Sequence, residues 1–166
     1  VFRHGDIMIS LRNVSTVLVF DPATLELRYL QTGIFTRQHD PDFIDGNTIS
    51  VFDNNNIGPD AFGQQSRILI FSAAGGDVDT WYEGTAEERF YTDIMGKSQW
   101  LENEPLLVTD SRNGRGFELN AQREIVWEYR NIVAEGTVGL VEEVQRLPAE
   151  MSAIFSEPQA ERCPAP

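Results

Sequence analysis

Short apolar runs recur along the whole chain, broken by Gly, Asn and Asp, and within the runs the alternation is that of strands rather than of helices. The best marked stretch is residues 37–56, Arg-Gln-His-Asp-Pro-Asp-Phe-Ile-Asp-Gly-Asn-Thr-Ile-Ser-Val-Phe-Asp-Asn-Asn-Asn. It predicts a strand over 41–44, a tight turn at Asp45-Gly46-Asn47 and a second strand over 48–52. The turn is expected because glycine tolerates the positive φ of a primed hairpin. His39, one of two histidines, falls just before the first strand, with Arg37, Gln38 and Asp40 around it. A lone histidine there can be a solvated loop residue, a satisfied core residue or a functional one, and the stretch alone leaves all three open.

The same pattern occurs three times. The first unit runs over 4–13, 15–21 and 26–30, the second over 45–54, 66–71 and 79–82, the third over 103–111, 115–119 and 124–129. Each reads turn, strand, polar break, strand, turn, strand, and the last strand carries aromatics (Tyr29; Trp81 and Tyr82; Trp127 and Tyr129). One more strand-like piece precedes units two and three, at 39–44 and 95–101. Four strands per unit, at a repeat near the roughly 40–50 residues of a propeller blade, predict an all-β fold, a partial β-propeller of about three four-stranded antiparallel blades. The propeller is expected over 1–148, with a C-terminal tail over 149–166. Residues 138–147 fit either a strand opening a further blade or a short helix, 149–155 a helical turn or two, and the tail beyond 157 reads as disordered. If adjacent units face one another, Arg12 and His39 come to the same mouth of the central channel.

Composition narrows the function. The chain has 166 residues, 41% hydrophobic and 23% charged, enough for one domain with a real core. A net charge of −13 repels phosphate backbones and anionic surfaces, which argues against nucleic acid as a partner. No run is long enough for membrane insertion. The single cysteine, Cys163, has no internal disulfide partner and gives no compartment. The opening Val-Phe-Arg reads as the edge of a strand hairpin, so a fragment or a processed chain is expected.

The run Gly5-Asp6-Ile7-Met8-Ile9-Ser10-Leu11-Arg12-Asn13, then Gln38-His39-Asp40, then Val51-Phe52-Asp53-Asn54-Asn55 closely resembles the arylsulfotransferase-like β-propellers. Ser98-Gln99-Trp100-Leu101 and Ile125-Val126-Trp127-Glu128-Tyr129 resemble that family's following blade, so the likeness spans about Phe2 to Tyr129. The resemblance implies a six-bladed ring, with the remaining blades upstream in the full-length protein. It implies an enzyme that moves a sulfuryl group from an aryl sulfate to a phenol with no cofactor or nucleotide donor, and an extracytoplasmic setting. It gives His39 the role of the nucleophile that becomes sulfated, and Arg12, in Ser10-Leu11-Arg12, that of the sulfate contact. Two departures stand out. The best-known members have Thr where Asp40 stands, and they use histidines from earlier blades, at positions that would fall before Val1.

The chemistry is sound on its own terms. A neutral imidazole is a competent nucleophile near pH 7, and a planar guanidinium suits the oxygens of a transferring sulfuryl group. Asp40 could orient the imidazole. A non-catalytic propeller that binds a ligand or partner at the same channel mouth is the rival reading, since fold does not decide function. A metal hydrolase is weaker, because two histidines and no Cys cluster supply few ligands. Asp53-Asn54-Asn55-Asn56-Ile57-Gly58 lacks the spacing and distal Glu of a calcium loop and reads as turn-capping side chains. His4 reads as a surface turn residue, and Trp81, Trp100 and Trp127 as packing between blades.

Overall fold

The computed structural model describes residues 1–58, 63–102 and 106–155. Blade 1 is a meander of β1 (Ile7–Leu11), β2 (Thr16–Phe20) and β3 (Leu27–Thr32). Blade 2 is β4 (His39–Phe43), β5 (Thr48–Asp53), β6 (Arg67–Ser72) and β7 (Asp79–Glu83). Blade 3 is β8 (Lys97–Trp100), β9 (Leu106–Asp110), β10 (Arg115–Leu119) and β11 (Ile125–Arg130). Every neighbouring pair in the three sheets is antiparallel. A small hairpin, β12 (Ile132–Ala134) with β13 (Thr137–Val138), follows, and then a 3₁₀ turn at Ala149–Met151 leading into the single helical turn Ser152–Phe155. The fold is all-β, three successive blades of a propeller that do not close into a ring. The expected disorder beyond 157, Cys163 and the turn at 103–105 lie outside the described residues.

Two apolar clusters hold the blades face to face. Val17 and Val19 of β2 meet Phe35, Ile49, Val51, Leu69 and Phe71, joining blades 1 and 2. Phe52, Ile68 and Phe90 meet Leu106, Val108, Phe117 and Leu119, joining blades 2 and 3. Blade 2 is therefore apolar on both faces: β5 alternates Ile49 and Val51 toward one cluster with Phe52 toward the other. Phe90 stands edge-on to both Phe52 and Phe117, at ring-centroid distances of 5.4 and 5.6 Å. Burying each such ring contributes about 1.5–3 kcal/mol. Gly96 is required here, because its φ is +94° and a Cβ would stand 2.5 Å from the Phe52 ring. Trp81 and Trp100 pack edge to face at 5.0 Å against the second cluster, as expected of blade packing. Trp127 departs from that expectation: it is 43% exposed on the outermost strand.

Three local expectations are corrected. Gly46 does not use a positive φ; the Asp45 carboxylate instead accepts the N–H groups of Asn47 and Thr48 at 2.7 and 2.8 Å, so an aspartate cap shapes the turn. His39 opens β4, as the strand-like piece at 39–44 has it and not as a strand beginning at 41 has it, and it stands opposite Phe52. The reason is a bulge: the register slips between His39 and Asp42, and Asp40 takes a φ of +48°. Pro41 fits because β4 is the edge strand of its sheet and can forgo a ladder donor. Finally, residues 139–147 are neither a further blade strand nor a helix. They form an irregular strap across the far face of blade 3.

Candidate functional site

Antiparallel pairing gathers the C-terminal ends of β1, β5 and β9 with the N-terminal end of β4 at one end of the array, and β4 lies between β1 and β8. The two motifs named from the sequence meet there. Gln38 is fully buried, and its Nε2 donates to Ser10 Oγ at 3.0 Å and to the Thr16 carbonyl at 2.9 Å. The Ser-x-Arg motif of blade 1 and the Gln-His motif of blade 2 are thus bonded side chain to side chain. Arg12 and His39 flank this bridge without bonding each other: the Arg12 Nη1 donates to Asn13 Oδ1 at 3.0 Å, and its buried Nε has no partner.

His39 is held by a residue the sequence reading took for a turn cap. Asn54 is fully buried, and its Nδ2 donates to the carbonyls of Thr92 and Met95 at 2.9 and 2.8 Å. Both amide hydrogens being committed to carbonyls, its Oδ1 can only accept, and it lies 2.6 Å from His39 Nδ1. The hydrogen-bond network therefore assigns the proton of the neutral ring to Nδ1 and its lone pair to Nε2. The neighbouring Asp53 and Asn56 do serve the backbone, accepting from Thr36 and Asn55 and from Gly58 respectively. A buried Asn next to an Asp in a polar run was the available signal, but only the fold shows which of the three asparagines faces the ring.

Asp40 does not orient the imidazole. Its Oδ2 accepts the Ser98 N–H of blade 3 at 2.7 Å, and burial, opposed by that bond, raises its pKa. Asp42, which drew no comment in the sequence, has its pKa pushed up to about 6 by burial and by the nearby Asp40. His4 is exposed in a turn, as expected.

The repeat also isolates Arg12. By ladder register Leu11, Asp53 and Asp110 share one position, the last of the second strand of each four-stranded pattern, and Arg12 follows it. In blades 2 and 3 the aspartate sits directly across the ladder from an arginine, Asp53 from Arg67 and Asp110 from Arg115. Asp53 is fully buried and takes the Arg67 Nε at 2.9 Å. In blade 1 that pair is Leu11 with Thr16, which brings no carboxylate to the corner, and Arg12 in the turn beyond makes no ion pair among the described residues. A half-buried guanidinium without a carboxylate partner is chemically suited to hold an anion.

No relative among curated proteins matches this chain. One solved structure, apo AztD from Citrobacter koseri, is similar at 14% sequence identity with a TM-score of 0.41, over 69% of this chain and 28% of that one. The chain thus corresponds to less than a third of that protein's length. The family model described as Arylsulfotransferase (ASST) matches residues 1–132, all three blades through their last strand. The chain belongs to the arylsulfotransferase family.

Proposed function

We propose that this chain carries the nucleophile and a sulfate anchor of a nucleotide-independent aryl-sulfate sulfotransferase. The observation that carries the reading is the Asn54–His39 bond, which in the neutral ring puts the lone pair on Nε2. In the first step Nε2 forms a bond to the sulfur of an aryl sulfate while the S–O(aryl) bond breaks and a phenolate leaves. The positive charge that grows on the imidazole is met by Asn54 Oδ1 at Nδ1–H. In the second step an acceptor phenol oxygen attacks the same sulfur, the S–N bond breaks, and the phenolic proton passes to solvent. Arg12 meets the charge on the sulfuryl oxygens, which suits a guanidinium with no acidic partner. The apolar face of blade 1, with Ile7, Ile9 and Leu11 at 44%, 37% and 41% exposure, supports a working protein in which further blades cover it.

A second reading, a propeller that binds an anion without catalysis, is favoured by one observation: Arg12 and His39 do not touch. Intact-mass measurement separates the two. Incubation of the full-length protein with an aryl sulfate and no acceptor is expected to add one SO₃ group at His39, labile to acid and discharged by an added phenol. His39→Asn loses the adduct with the fold intact, and Asn54→Ala slows its formation. Arg12→Lys reacts more slowly, because a point charge does not reproduce the planar fork. Sulfuryl transfer that survives in His39→Asn would sink the assignment. Anion binding without any adduct would move it to the binding reading.

A further inference from the structure

Strand β4 carries one residue more than the strand it pairs with. His39 stands opposite Phe52 and Asp42 opposite Ser50, so Asp40 and Pro41 together face the single Val51. The extra residue decides on which face of the sheet the histidine lies, because a slip of one position moves a side chain to the other face. Counted back from Asp42 in an unbulged strand, His39 would fall opposite Asp53, which accepts from Thr36 and Arg67. With the bulge it falls opposite Phe52, whose ring packs toward blade 3. Asn54 lies two residues beyond Phe52 and so on the same side, in the diagonal position that a long side chain can reach across a ladder. Its Oδ1 is 2.6 Å from His39 Nδ1. The bond that fixes the His39 tautomer therefore belongs to the bulged register.

Asp40 makes that register possible and is itself held from the next blade. Its φ of +48° lies in the left-handed region, which aspartate tolerates through its short polar side chain and a β-branched residue does not. Its Oδ2 accepts the Ser98 N–H at 2.7 Å, on β8, the edge strand of blade 3 nearest β4. The other support of His39 crosses the same gap. Asn54 donates to the carbonyls of Thr92 and Met95, on the link from β7 to β8. That link is fastened to the blade 3 corner, where Thr92 Oγ1 accepts the Arg112 N–H and Ser111 Oγ accepts the Gly96 N–H, both at 3.1 Å. The histidine of blade 2 is thus set by two connections that end on blade 3.

We propose that Asp40 is a positioning residue for His39: its left-handed backbone, locked by the Ser98 N–H of blade 3, puts the imidazole on the face where Asn54 fixes its tautomer. Asp40 acts through the backbone and not by touching the ring. Its consequence for catalysis rests on the reading of His39 as the sulfuryl-accepting nucleophile; its consequence for the ring does not.

Nitrogen NMR of the full chain labelled at histidine tests it, about two pH units above the ordinary imidazole value so that neutral rings are observed. His4 and His39 are the two histidines, and the exposed His4 serves as the solvent reference. The parent is expected to show His39 as the single Nδ1–H tautomer and His4 as a mixture. Asp40→Asn keeps both the tolerance for positive φ and a side-chain acceptor, and should keep the parent signature. Asp40→Gly keeps the φ but loses the bond to Ser98, and should give His39 a partial mixture. Asp40→Val loses both and should make His39 resemble His4. With an aryl sulfate, the Gly and Val variants of the full-length protein should form the His39 adduct more slowly, by up to about a hundredfold for a misplaced nucleophile. A Gly variant with the full parent signature, an Asn variant as disturbed as Gly, or a folded Val variant that keeps the single tautomer would each overturn the proposal. If the Val variant does not fold, the Asn and Gly pair decides alone. The tautomer is read without any transfer, so the expected NMR series with no adduct in the parent would count against the transfer reading only.

Discussion

Blades 1 and 3 repeat one strand pattern and end the array in opposite ways. Blade 3 has its outer face covered by its own chain. The strap over 139–147 puts the Val144 N–H on Thr109 Oγ1 at 2.9 Å, exchanges backbone and side-chain bonds between Arg146 and Gln99, and pairs Arg146 with Glu118. Blade 1 leaves its own outer face, at the other end of the array, open, with Ile7, Ile9 and Leu11 partly in solvent and β1 as a sheet edge. Their corners differ in the same sense. Blade 3 spends its corner on Asp110, held by Asn113 and facing Arg115 across the ladder, whereas blade 1 has Leu11 facing Thr16 there and leaves the following Arg12 without a carboxylate. One blade is closed by interactions that only stabilise; the other keeps apolar surface and charge unspent. Unspent groups mark the end of the molecule where a partner or ligand has work to do.

The strongest way to break this comparison is in the apolar faces. Phe117 is fully buried between blades 2 and 3, and Phe117→Ala is expected to cost about 3–5 kcal/mol. Leu11→Ala, on the open face, is expected to change stability by no more than about 0.5 kcal/mol. Urea midpoints at constant m-value check both. A large loss at Leu11 would mean that the open face is covered in solution.

The corners come next. Asp53→Asn leaves Arg67 without its carboxylate and is expected to cost about 3 kcal/mol, the low end for removing one partner of a buried pair. Arg12→Gln removes a cation that no described residue pairs with, so stability should hold within about 0.5 kcal/mol while sulfate binding falls. Equal losses at the two corners, read from thermal unfolding, would show that Arg12 serves the fold rather than an anion.

How far the sequence carried follows the same divide. The strand pattern was legible because each blade buries alternate apolar residues, and β2, β6, β7, β10 and β11 lie within a residue or two of their expected bounds. His39 and Arg12 were legible as motifs. What holds them was not, because the partners are distant in the chain: Gln38 reaches Ser10 across 28 positions and Asn54 reaches Met95 across 41. The bulge that draws His39 into β4 depends on Asp40 finding Ser98, 58 residues away. The strap eluded periodicity for a plainer reason. Its side chains answer to the surface beneath them, so it needs no period of its own.

The strap offers a third test. A Cβ on Gly116 would stand 2.7 Å from Val144, so the strap lies on a strand position that has no room for a side chain. Gly116→Val is expected to lift it, at a cost of about 1–3 kcal/mol from overpacking, and to make the blade 3 face bind a hydrophobic dye. Ile9→Ser on blade 1 should do the reverse, lowering dye binding at nearly constant stability. Unchanged dye binding in Gly116→Val would mean that the strap is not what closes blade 3.

The smallest expected effect concerns the strand between the two ends. On β4, Asp42 feels Asp40 as a repulsion and Lys97 of blade 3 as an attraction, and the strap's Glu143 bears on Asp40, so this strand leans its charges on the closed side. Asp42 titrates near pH 6 in the folded protein against an ordinary value of 3.8. A carboxyl with a raised folded pKa binds its proton more tightly folded than unfolded, so its contribution is present below about pH 4 and is lost as the pH rises through 6. Asp42→Asn should therefore match the parent protein at pH 4 and exceed it in stability at pH 7.5. Solvent screening of a partly exposed group should keep the gain under about 1 kcal/mol. Urea midpoints of the two proteins at half-unit steps from pH 4 to 8 give the difference curve directly. A flat curve, or one in which the variant loses ground as the pH rises, would show that the ionised Asp42 has a stabilising partner, and that the inner strand does not carry its acidic strain on the blade 3 side.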